Sequence, residues 1–94
     1  MTQGAAGGTW TAEKIISIIR ELADSKDLPE HLSEGEIKGS DTVDSLGIDS
    51  IGGVYLIERL EEETGILMPD DFVELDFDLD EIAARLNKLF EKQA

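Results

Sequence analysis

The chain has 94 residues, enough for one domain and no second, and its 22 acidic against 8 basic residues give a net charge of −14. That charge argues against nucleic acid and anionic membranes as partners, because phosphate groups attract Lys and Arg and repel carboxylates. With no cysteine there is no disulfide framework, thiolate metal site or cysteine nucleophile, and no apolar run approaches the roughly 20 residues that span a bilayer.

Met1 to Trp10 has neither the charged start nor the apolar stretch of a secretory signal, so a cytoplasmic location is expected. Residues 1–8, rich in Gly and Ala, read as a mobile tail, 9–91 as the folded domain and 92–94 as a C-terminal tail. Thr9 or Thr11 is placed to cap a first helix, in which Ile15, Ile16, Ile18, Ile19, Leu22 and Ala23 repeat at helical spacing. Its end is expected within Asp24 to Asp27, ahead of Leu28-Pro29, since the residue before proline resists the helical region. Residues 29–49 form a long connection interrupted by Gly35, Gly39 and Gly47, with Leu32, Val43 and Leu46 expected to pin it to the core. His31-Leu32-Ser33-Glu34 suits a single helical turn.

Asp49 reads as the cap of a second helix from Ser50 to about Thr64, stopped by Gly65. Val54, Leu56, Ile57 and Leu60 form its apolar stripe, and Glu58, Arg59, Glu61, Glu62 and Glu63 its opposite face. After Met68-Pro69, Asp70-Asp71-Phe72-Val73 suits the start of a short helix. Asp78-Leu79-Asp80-Glu81 has capping-box spacing and opens a last helix to about Phe90, with Leu79, Ile82, Ala83, Leu86, Leu89 and Phe90 on its apolar side. The expected fold is therefore all-α: a four-helix bundle of three long helices and one short, with a long first loop.

Catalysis has little to work with, and the chain is not expected to be an enzyme. His31 is the sole histidine, with no cysteine or second histidine to form a nucleophile–base pair or a metal cluster, and reads as a solvated loop residue. Asp76-Phe77-Asp78-Leu79-Asp80 opens like a calcium loop, but Glu81 stands where the turn needs glycine and Asn87 where a bidentate glutamate belongs.

Asp44-Ser45-Leu46-Gly47-Ile48-Asp49-Ser50-Ile51 is more informative. A glycine turn delivers Asp49-Ser50 to a helix mouth, where unpaired amides and the helix dipole favour an anionic substituent on Ser50. Taken alone, the stretch also reads as an ordinary Asp cap followed by serine. Gly52 and Gly53 in the first turn, each costing up to about 1 kcal/mol against alanine, leave the surface around Ser50 open to an attachment or a close partner, or reflect local laxity. Ile51 is expected to be exposed, while Val54 suits core or surface equally. With Glu58, Glu61 and Glu62 these residues outline a docking face for a basic, partly apolar partner.

From Trp10 to Phe90 the sequence resembles the acyl carrier protein family, which includes peptidyl carrier proteins. The resemblance rests on Leu46-Gly47-Ile48-Asp49-Ser50-Ile51, then Val54, Leu56, Ile57, Leu60, Glu61-Glu62-Glu63, Gly65-Ile66 and Met68-Pro69-Asp70. It implies 4'-phosphopantetheine on Ser50, donated from coenzyme A by a phosphopantetheinyl transferase with Mg²⁺. Asp49 would assist at that enzyme's metal–phosphate site, and the second helix would serve for recognition. The arm's thiol would hold acyl or aminoacyl cargo as a thioester, loaded by a ligase or acyltransferase and consumed by synthase enzymes. Ile51 in place of leucine, Glu58 in place of an apolar residue and the Gly52-Gly53 pair look less like fatty-acid carriers than polyketide or peptide-synthetase ones. Phe72 to Leu79 resembles D-alanine carriers. The expectation is a free-standing, monomeric carrier in a specialised pathway, set against a D-alanine or fatty-acid carrier and against a cofactor-free acidic helical adaptor.

Overall fold

A computed structural model describes residues 10–93; the expectations for Thr9, the tail 1–8 and Ala94 lie outside the described residues. α1 runs Ala12–Asp24 from an extended Thr11, whose carbonyl accepts the amides of Lys14 and Ile15 at 3.1 and 3.3 Å while its side chain makes no cap bond. Helical spacing puts Ile15, Ile18, Ile19, Leu22 and Ala23 on one buried face and leaves Ile16 half-buried at its edge.

The long connection is fastened at both ends. A 3₁₀ turn, Glu30–Ser33, forms where one helical turn was expected, and buries Leu32. Arg20 of α1 donates from Nη2 to the Gly35 carbonyl at 2.8 Å and from Nη1 to that of Leu32 at 3.4 Å. Further along, the amides of Val43 and Asp44 donate to the carbonyls of Phe77 and Leu75 at 3.0 and 2.8 Å. The amides of Leu79 and Asp80 return the bonds to Asp41 and Gly39 at 3.2 and 3.0 Å, around an isolated antiparallel bridge between Thr42 and Asp78. This strap satisfies backbone groups that would otherwise be lost near the core, and it holds Val43 and Leu46 buried as expected.

α2 is Ser50–Thr64, ended by Gly65 at φ +73°, whose amide bonds the Glu61 carbonyl at 2.8 Å. α3 is Leu79–Gln93, with Asp78 Oδ1 accepting the Glu81 amide at 2.7 Å as the capping spacing requires. It passes Phe90 and takes in residues 92 and 93 of the expected tail, because Glu91, Lys92 and Gln93 all favour helix and no Gly or Pro stops it.

The short helix expected at Asp70–Val73 does not form; the Phe72 amide closes one turn onto the Pro69 carbonyl at 3.0 Å. One turn leaves the cost of helix nucleation unrecovered. The carbonyls of Leu75 and Phe77 are then drawn away to the strap, so the chain runs on without continuing the turn. Among the described residues the architecture is all-α, with three α-helices and a short element that lies in the first connection and not ahead of α3.

α1 packs on both α2 and α3, around a centre of Ile15, Ile19, Leu56, Leu60, Leu79, Ile82 and Leu86. On the surface Arg59 of α2 pairs with Glu21 of α1 and, at 3.3 Å, with Glu63. The hydrogen bond that Arg59 donates to Glu63, and the charge of Glu21, raise the pKa of Arg59 above its usual value, so it stays cationic wherever the protein is folded. Asn87 clasps the entry to α1: its Oδ1 accepts the Trp10 amide at 2.8 Å and its Nδ2 donates to the Trp10 carbonyl at 3.0 Å. Asn87→Ala removes both bonds and is expected to lower stability by about 1–2 kcal/mol. Thermal unfolding followed through Trp10 fluorescence checks this.

Candidate functional site

The segment leading to Asp49-Ser50 folds as a small capped turn. Thr42 and Ser45 cap one another, the Thr42 amide donating to Ser45 Oγ and the Ser45 amide to Thr42 Oγ1, both at 3.0 Å. The turn closes through the amides of Leu46 onto Thr42 and Gly47 onto Asp44. Gly47, at φ +84°, releases the chain from it, in a conformation that costs other L-residues about 1–2 kcal/mol. Ile48 then plunges into the core, leaving Asp49 and Ser50 exposed on either side of the α2 start.

Two Asp-Ser pairs stand close in sequence, and the structure separates them. Ser45 is exposed, but its Oγ is engaged within the turn, accepting the Thr42 amide and donating to the Thr42 carbonyl at 2.9 Å. Ser50 is exposed as the first residue of α2. Asp49 is extended; its Oδ1 accepts the Gly52 amide at 2.8 Å and its carbonyl the Gly53 amide at 2.9 Å. A carboxylate there satisfies one orphan donor and complements the helix dipole. Asp49→Ala is expected to cost about 1 kcal/mol, whereas Asp49→Asn keeps most of the cap. Denaturant titration of both variants separates capping from any role of the charge toward a partner.

The two glycines behind Ser50 are not equivalent. A Cβ on Gly52 would stand 2.8 Å from Leu28 Cδ2 and 2.9 Å from Ile48 Cγ2, so that position is closed by the protein's own packing. A Cβ on Gly53 would meet nothing within 4 Å. Gly53 instead borders an open groove of about 490 Å³ that begins at Ser50, has Val54, Ile57, Val73 and Leu75 along it, and is rimmed by Asp70, Glu74 and Asp76. The residues present therefore suit a group attached at Ser50: the serine is accessible, the helix terminus favours negative charge, and the neighbouring space is not filled from within.

The exposed face of α2 matches the sequence in part. Ile51 is 64% exposed and Val54 50%, which settles Val54 as surface. Glu58 and Glu62 are exposed a turn or more further on. Glu61 is half-buried, and its Oε2 accepts the Met68 amide at 2.8 Å, which fixes the loop after α2. Tyr55, 39% exposed, joins the face. Sequence reasoning passed over it although it lies four residues beyond Ile51, the spacing that should have drawn attention to it. His31 is exposed, but it is not merely solvated: its Nε2 lies 3.1 Å from the Leu46 carbonyl. In the Asp76–Asp80 run, Asp78 is spent on capping α3.

Among the described residues no helix is long and apolar enough to cross a membrane. No solved structure matches the chain. The family model described as a phosphopantetheine attachment site matches residues 13–86, a span that begins in α1, includes Asp49 and Ser50, and ends in α3. On that match, over more than three quarters of its length, the chain belongs to the phosphopantetheine-attachment-site family of acyl and peptidyl carrier proteins, which bear covalently attached 4'-phosphopantetheine.

Proposed function

We propose that Ser50 Oγ is the atom that bears the phosphopantetheine, and that this chain carries acyl or aminoacyl cargo between enzymes of a polyketide, nonribosomal-peptide or related specialised pathway. The observation that carries the reading is the exposed Ser50 at the Asp49-capped mouth of α2, inside the family match. When bound, the group supplies the thiol on which cargo is held as a thioester, chemistry that a chain without cysteine does not have of its own.

The chain's own residues bind and orient. Asp49 fixes the first turn of α2, whose amides and dipole favour the negative charge of a phosphodiester on Ser50. The Asp49 carboxylate also offers a ligand toward the metal–phosphate site of a phosphopantetheinyl transferase. Ile51, Val54 and Tyr55, flanked by Glu58 and Glu62, suit a partner with a basic, partly apolar face. Such contacts steer encounter more than they add affinity, which suits a protein that must leave each enzyme quickly. Ile51, Glu58 and the Gly52-Gly53 pair favour a specialised pathway over fatty-acid synthesis, and coenzyme A as donor is in keeping with a cytoplasmic location.

Intact-mass spectrometry after incubation with coenzyme A, Mg²⁺ and a broad-specificity phosphopantetheinyl transferase tests the reading. One added phosphopantetheine is expected. A folded sample that arrives without the group and refuses it would point instead to a cofactor-free adaptor.

A further inference from the structure

We propose that His31 is a positioning residue for the modification of Ser50, a latch that holds the Gly47 joint in the orientation that presents the serine; the inference rests on Ser50 being the attachment point. A carbonyl oxygen only accepts, so the 3.1 Å approach of Nε2 to the Leu46 carbonyl requires a proton on Nε2. The ring also packs over Gly47: a Cβ there would stand 3.5 Å from His31 Cε1 and 3.8 Å from Nε2.

The latch is itself anchored. His31 lies in the 3₁₀ turn whose Leu32 is buried, and Arg20 of α1 holds the carbonyls of Leu32 and Gly35. Gly47 is the most permissive joint between the Thr42–Leu46 turn and α2. Ile48 secures its far side through burial and through its amide bond to the Val43 carbonyl at 3.2 Å. On the near side, where the Gly47 amide already bonds the Asp44 carbonyl at 2.9 Å, His31 adds the hold on the Leu46 carbonyl. A line of contacts thus runs from α1 through the 3₁₀ turn to the Leu46 carbonyl, with Gly47 and Ile48 between it and Asp49-Ser50. Losing the His31 contact loosens the joint at the Leu46 carbonyl without disturbing Ile51, Glu58 or Glu62, so docking survives while alignment suffers.

The test measures transferase kinetics with coenzyme A on the full chain and on His31→Leu, His31→Gln and Ser50→Ala. His31→Leu is expected to lower kcat about tenfold with KM unchanged, since small misplacements of a reacting group are costly. His31→Gln, which keeps an N–H donor at similar reach, is expected to recover to within about twofold of the parent. The latch is overturned if His31→Leu is as fast as the parent, or if His31→Gln is as slow as His31→Leu. Should His31→Leu not fold, ring nitrogen shifts in the unaltered protein decide: a ring protonated on Nε2 supports the latch, and a predominantly Nδ1–H ring overturns it. Failure of the Ser50 reading looks different, as a parent chain that takes no group or a Ser50→Ala variant that still does.

Discussion

Ser50→Ala is expected to fold as the parent does and to accept no phosphopantetheine. The serine is exposed at the first position of α2, where the cap is provided by Asp49 and not by Ser50 itself. Alanine there favours helix, so the stability change should stay within about 0.5 kcal/mol. Modification, by contrast, should fall from complete to undetectable, because the hydroxyl oxygen that would form the phosphodiester is gone. Ser45→Ala is the matched control, since it alters the other Asp-Ser pair five residues earlier. It is expected to take the group fully while losing the mutual capping with Thr42, at a cost of about 1 kcal/mol. Mass spectrometry on both, with circular dichroism to confirm folding, gives the answer. A modified Ser50→Ala chain would sink the assignment, and an unmodified Ser45→Ala chain would move attention to the other serine.

Gly52→Ala and Gly53→Ala should shift stability in opposite directions, although helix propensity treats them alike. Each replacement gains up to about 1 kcal/mol of propensity. At Gly52 the new methyl collides with Leu28 and with Ile48 Cγ2, and the latter sits directly on a branched Cβ in the core and has no room to swing away. Overpacking of this kind costs about 1–3 kcal/mol, so Gly52→Ala should be a net loss of about 1 kcal/mol or more. At Gly53 the methyl enters open space, and the propensity gain of about 0.5–1 kcal/mol should appear nearly whole. In a domain of this size each 1 kcal/mol moves the melting temperature by about 4–8 °C, well within reach of a thermal melt. Stabilisation by both alanines would mean that Leu28 and Ile48 do not close around Gly52. The more stable Gly53→Ala chain also tells whether the open groove beside Ser50 matters to partners, because any loss of modification rate there could not be blamed on folding.

Much of the fold was local enough to read directly. The isoleucine spacing of α1, the Asp49 cap, the Gly65 stop and the Asp78–Glu81 cap each depend on residues within a turn or two of one another, so side-chain identity carries them. Ser50 belongs with these: its position follows from its neighbour's cap and from the glycine turn before it. The face of α2 was half legible. The apolar stripe gave Leu56, Ile57 and Leu60, but periodicity alone did not decide Val54, because a residue at the stripe's edge is buried only if another element arrives to cover it.

The rest required the chain to meet itself. Residues 39–44 strap onto 75–80 through main-chain hydrogen bonds, which have no side-chain code, and that strap is also why 70–73 closes one turn and stops. That Glu61 also accepts Met68's amide shows only once the loop after α2 is folded back onto it. His31 is exposed as its sequence suggests, but its approach to Leu46, fifteen residues away, shows only in the folded 3₁₀ turn. Gly52 and Gly53 are identical letters, told apart only by Leu28 and Ile48 crowding one and nothing crowding the other. The sequence by itself determined the three long helices, the Asp49 and Asp78 caps and the serine at the mouth of α2, since these follow from short-range geometry. Only the tertiary structure decided which glycine is packed shut, which acid is free and what steadies the turn ahead of Ser50, since each depends on atoms that are distant in sequence and adjacent only after folding.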